Sequence, residues 1–147
     1  IEPREVKLLI PEKTFRTEGP QDALRVSFDD IDLLKVLNME PVVETAPQLF
    51  PEWLKQLDGK RIRLRGFMYP AFRDTDLKGF VLARDNQICC FGRSPKIYDL
   101  VTVLMRKGKM TDYIQGRPFD VVGVVHIEES EIAGEMFWMN DAVVIGE

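Results

Sequence analysis

A mainly β fold, a small OB-like antiparallel β-barrel of five to six strands, is predicted by three observations. Short segments of alternating apolar and polar residues recur between residues 60 and 145, turn residues separate them, and glycine stands inside two of them, at Gly66 and Gly123. Glycine within a strand suits a barrel corner, where the strand bends sharply or another backbone comes close. No helical pattern long enough for a crossover separates the segments, so strands adjacent in sequence are expected to pair antiparallel. A Greek-key sandwich is the alternative.

Two regions follow from this. Residues 1–46 read as an N-terminal arm packed on the barrel, because Pro3, Pro11, Gly19 and Pro20 stand among many charges. Within the arm, Asp29 and Asp30 suit the start of a helix over 31–37, and 24–28 suits a strand. Residues 47–147 read as the barrel domain, opened by one short helix over 47–57. Pro51 fits that helix's first turn, Leu54 and Leu57 give it an apolar edge, and Asp58-Gly59 ends it.

The first barrel strand is KRIRLRGFMYP (60–70). It places Ile62, Leu64, Gly66 and Met68 on one face and Arg61, Arg63, Arg65, Phe67 and Tyr69 on the other. KGFVLARD (78–85) follows, then a turn at Asp85-Asn86 into a short strand over 88–91. IYDLVTVLM (97–105), FDVVGVVHIEE (119–129) and EMFWMNDAVVI (135–145) complete the set. Gly116 and Pro118 keep the connection before residue 119 irregular.

The chain has 147 residues, 45% of them hydrophobic, enough for one core without a disulfide or metal staple. No apolar run approaches the roughly 20 residues that span a bilayer. The net charge of −4 conceals an asymmetry: −4 over residues 1–46, +7 over 47–117 and −7 over 118–147. A basic middle suits an anionic partner, whereas basic and acidic segments lying side by side would neutralise each other.

The outer face of the first strand invites a nucleic-acid reading. Arg61, Arg63 and Arg65 run into Phe67 and Tyr69, and OB barrels hold single strands with a cationic groove and stacking rings. The competing expectation is that these arginines pair with the acidic 118–147 segment. Asp85, Asn86 and Arg93, at the edges of the cysteine segment, complete the candidate contact surface.

Cys89 and Cys90 are the only cysteines and His126 the only histidine. In an extended segment neighbouring cysteines face opposite sides of the sheet, so both reaching one zinc ion is awkward. A bridge between them is strained as well, since adjacent α-carbons lie about 3.8 Å apart and disulfides prefer roughly 4.4–6.8 Å. One cysteine is expected to fill the core. A thiol site pairing Cys90 with His126, or a zinc site using one cysteine with His126 and Asp85, is the chemical alternative. The common hydrolase, nucleotide-binding and metalloprotease motifs are absent from the sequence.

The strings LDGKRIRLRGFMYP, GFVLARDNQICCFG and DYIQGRPFDVVGVVHI resemble an uncharacterised family of bacterial exported, often lipid-anchored, OB-like domains. In that family a LDGK-x-V-x-I-x-GF strand opens the barrel and a cysteine-containing segment follows the second strand. The resemblance covers residues 47–147. Some relatives are similar to lipoproteins encoded beside transport systems, including ones tied to zinc supply, which implies an accessory role in the envelope. In those relatives the cysteines run on into a histidine and a proline tract, where this chain has Phe91, Gly92 and Arg93.

The expected function is therefore a non-catalytic binding or accessory module of the bacterial envelope, with an unknown protein or small ligand as partner and no cofactor. Single-stranded nucleic-acid binding is the first alternative. A thiol- or zinc-dependent accessory protein is the second. A chain beginning at Ile1 suggests processing, so a periplasmic or membrane-anchored location is expected, with the cytoplasm as the alternative.

Overall fold

The computed structural model describes residues 2–43, 45–90, 94–132 and 135–146, without the side chains of 89–90, 129–132 and 135. Six strands form its frame: β1 (Leu24–Val26), β2 (Arg61–Met68), β3 (Gly79–Ala83), β4 (Leu100–Met105), β5 (Phe119–Ile132) and β6 (Glu135–Ile145). The sheet runs β1-β2-β3-β4-β6-β5, and β2 also pairs with β5. That second pairing closes β2, β3, β4, β6 and β5 into an OB-like barrel.

Pairing is antiparallel around the ring except at β4–β6, which is parallel. This corrects the expectation of antiparallel pairing throughout. A closed ring with an odd number of strands cannot alternate direction at every step, so one parallel pair is unavoidable. β1 adds a second parallel contact, Leu24 to Val26 beside Ile62 to Leu64, on the part of the β2 edge that β3 leaves open.

Alternation decides which residues fill the barrel. Ile62, Leu64 and Met68 of β2 point inward with Leu82, Val103 and Met139, all at most 2% exposed. Gly66 and Gly123 stand where the chain has no room for a side chain. A Cβ at Gly66 would sit 2.6 Å from the Ala83 carbonyl oxygen, and one at Gly123 would sit 2.6 Å from Met139 Cγ.

Among the described residues three short helices accompany the barrel: α1 (Leu33–Leu37), α2 (Glu52–Lys55) and α3 (Asn86–Cys90). The expected helix over 47–57 is divided. Ala46–Leu49 forms a 3-10 turn, Pro51 is the N-cap of α2, and Gly59 leaves with φ 83°. The cap of α1 is Asp32, whose Oδ1 accepts from the Leu34 and Lys35 amides, while Asp30 serves the preceding 3-10 turn from Phe28 to Ile31.

The larger correction is α3. Asp85 and Asn86 do not form a hairpin turn, and residues 88–90 are helical; residue 91, the end of the expected strand, lies outside the described residues. Asp85 Oδ1 accepts from the amides of Gln87 and Ile88, as a helix cap does. A short apolar run carries no period of its own, and here the cap decides between strand and helix.

The chain before β1 lies along these helices. The Lys7 and Leu9 amides donate to the carbonyls of Leu37 and Val36. Trp53 of α2 donates from Nε1 to the Ile10 carbonyl at 2.8 Å, and Phe15 tilts against its ring.

Candidate functional site

The outer face of β2 is an ion-pair lattice. Asp120, buried at the start of β5, accepts from Arg63 Nε at 2.6 Å, Arg65 Nη1 at 3.1 Å and Arg25 Nη1 at 3.2 Å. Arg61 donates to Asp141 at 2.7 Å, and Arg106 approaches the same carboxylate at 2.9 Å. Burial pushes the Asp120 carboxyl up, but the bonds from Arg63 and Arg65 and the nearby Arg25 outweigh it and hold the group below the usual carboxylate range. The basic stripe thus faces two aspartates of the acidic C-terminal segment.

A second lattice joins the residues before the barrel to β3. Arg84 donates to Asp32 at 2.7 Å, to Asp29 at 2.8 Å and to Asp99 at 3.1 Å. Tyr98 beside it is pushed up to about 12, first by burial and then by the charges of Asp32 and Asp99. Arg84 has no motif in the sequence; its one signal is the run Asp29, Asp30, Asp32 in a chain whose middle is basic.

His126 stacks on Trp138 with ring centroids 4.3 Å apart, and its Nε2 lies 2.9 Å from Asn140 Oδ1. Trp138 Nε1 donates to Glu128 at 2.6 Å. Along β2, the register places Val124 of β5 opposite Arg61, with His126 beyond it, and Ala83, just before α3, opposite Phe67. The segments carrying His126 and the cysteines therefore meet β2 towards opposite ends. The side chains of Cys89 and Cys90, and all of Arg93, lie outside the described residues. Among the described residues no three His, Cys, Asp or Glu side chains gather as a metal's ligands would.

Of the candidate contact residues that are described, Tyr69 lines a sizeable hollow. This hollow, of about 610 Å3, lies under the loop between β2 and β3, with Tyr69, Ala71, Phe72, Leu77 and Phe80 on its walls and Met110 at its far side. Phe72 is fully exposed, and Tyr69 and Met110 are 39% and 51% exposed. The frame is tied down. Leu77 and Thr111 exchange backbone hydrogen bonds at 2.8 and 3.0 Å, and the Tyr113 amide donates to the Asp74 carbonyl at 2.8 Å.

A second hollow, of about 310 Å3, adjoins the first and shares Lys78 and Met110 with it. Its other walls are Met105 at the end of β4 and Arg106, Lys107, Gly108 and Lys109 in the turn after it. Lys78, Lys107 and Lys109 are exposed and form no ion pair among the described residues. Fold and site together define an OB-like barrel with an apolar hollow under its first barrel loop and a basic hollow beside it.

No protein-family model matches the chain, and no curated protein matches it. Among solved structures it is similar to a DUF3299 family protein from Pseudomonas aeruginosa, with 20% sequence identity and a TM-score of 0.49. The match covers 63% of this chain and 66% of that one, just under two thirds of its length. Among the described residues no helix is long and apolar enough to cross a membrane.

Proposed function

We propose that the chain is a non-catalytic binding module of the bacterial cell envelope, and that it contacts its partner through the hollow under the β2–β3 loop. One observation carries the choice of surface: Phe72, Tyr69 and Met110 are held out to solvent around a hollow whose walls are fixed by backbone bonds. Exposed rings and methionine around a concave, mostly apolar surface of this size favour binding a partner over self-packing. The arginine stripe supports nucleic-acid binding less well, because its charges already face Asp120 and Asp141. The envelope location rests on the sequence resemblance of residues 47–147, and the reading assigns no cofactor.

The test is a chemical-shift map. Isotope-labelled protein titrated with a small apolar fragment library should shift amides of residues 69–81 and Met110, and Phe72→Ser should abolish those shifts. Fragments that bind only elsewhere, or none that bind, would count against the surface. Fractionation of cells making the protein tests the location, with recovery outside the cytoplasm expected.

A further inference from the structure

We propose that the partner is an extended acidic peptide segment of another protein, which seats an apolar side chain beside Phe72 and a carboxylate beside Lys78. This rests on the reading of the hollow as the contact surface and adds the chemistry of what fills it.

The two hollows differ in kind and share a wall. One presents Tyr69, Phe72 and Met110; the other presents Lys78, Lys107 and Lys109. The three lysines have no carboxylate partner among the described residues, so their charges are available to a ligand. Aromatic residues, methionine and arginine are the types enriched where proteins meet, and Arg73 stands next to Phe72 on the same rim. Because Lys78 and Met110 border both hollows, a ligand can occupy them together. Alternate side chains of an extended peptide are roughly 7 Å apart on one face, which suits neighbouring hollows of unlike character.

The charge distribution favours a peptide over a nucleic acid. Asp76 lines the apolar hollow and Asp74 is in the same loop, while the free lysines cluster at the other end. A strand with a phosphate at every nucleotide would meet those carboxylates. A peptide can present its negative charge only where the lysines are. Concavity likewise favours a peptide over a lipid surface, since a bilayer cannot fill a hollow beneath a loop.

Selection from a displayed random-peptide library on the intact chain tests this, followed by affinity measurements on synthetic versions of the enriched peptides. The expected consensus holds Leu, Phe, Trp or Met within about three residues of Asp or Glu. Lys78→Glu and Phe72→Ser should each weaken binding about tenfold or more, and added salt should weaken the wild type more than it weakens Lys78→Glu. Both residues are exposed, so the variants should unfold at the wild-type temperature. Enriched peptides without acidic residues, or binding indifferent to both substitutions, would overturn the proposal. So would retention of oligothymidylate or phosphatidylglycerol vesicles, rather than peptide, with dependence on Phe72 and Lys78. If apolar fragments map to the hollow but no acidic peptide binds, only the partner class fails. If neither binds there, the contact surface fails with it.

Discussion

Arg63 Nε lies 2.6 Å from Asp120 Oδ2, and the same carboxylate also accepts from Arg65 and Arg25. A side chain placed to meet an outside ligand instead ties β1 and β2 to β5. Asp120→Asn removes the negative charge from among three guanidinium groups. The expected cost is about 1–3 kcal/mol, below the range for a fully buried pair because the arginines keep part of their hydration. Urea unfolding of the variant measures it.

The same contact sets an acid limit. Asp29 and Asp141 share the lowered position of Asp120, Asp29 chiefly through its bond from Lys35 and Asp141 through bonds from Arg106 and Arg61. A depressed folded-state value contributes stability that is complete above the unfolded value, near 3.9, and is lost as pH falls through the folded one. The unfolding midpoint should therefore fall steeply below about pH 4, and Asp120→Asn should flatten that fall.

At the alkaline end the sign reverses. Tyr98 is raised to about 12 in the folded chain, against roughly 10 when unfolded. Its contribution is complete below the unfolded value and is lost as pH rises towards 12. Phenolate absorbance should show a late step that Tyr98→Phe removes. An unchanged titration in that variant would count against the burial beside Asp32 and Asp99.

The barrel glycines offer a steric test. An alanine methyl at Gly66 would sit 2.6 Å from the Ala83 backbone oxygen, whereas at Gly123 the nearest atoms belong to the flexible Met139 side chain and the backbone oxygen, that of Asn140, lies at 2.9 Å. Both substitutions should destabilise, by about 1–3 kcal/mol as overpacking does, with Gly66→Ala the more costly. Denaturant midpoints of the two variants decide the order.

Much of the barrel was legible because period-two alternation is local. The EMFWMNDAVVI stretch coincides with β6, and the split of Ile62, Leu64 and Met68 from Arg61, Arg63 and Arg65 matches the two faces of β2. Gly66 and Gly123 marked close approaches, as their spacing to Ala83 and Met139 shows. What the sequence hid depends on partners far along the chain. Asp120 and Arg63 are 57 residues apart, and no local pattern reveals that they meet. The β4–β6 direction follows from closure of the ring, a global condition. Phe72 left one faint trace, a large ring beside the polar run Arg73-Asp74-Thr75-Asp76.

Comparing Phe72→Ser with the wild type, in fragment-induced amide shifts together with thermal unfolding, tests the central claim most directly. The account predicts an unchanged unfolding temperature and the loss of shifts at residues 69–81 and Met110. A variant that binds the same fragments at the same amides would contradict it.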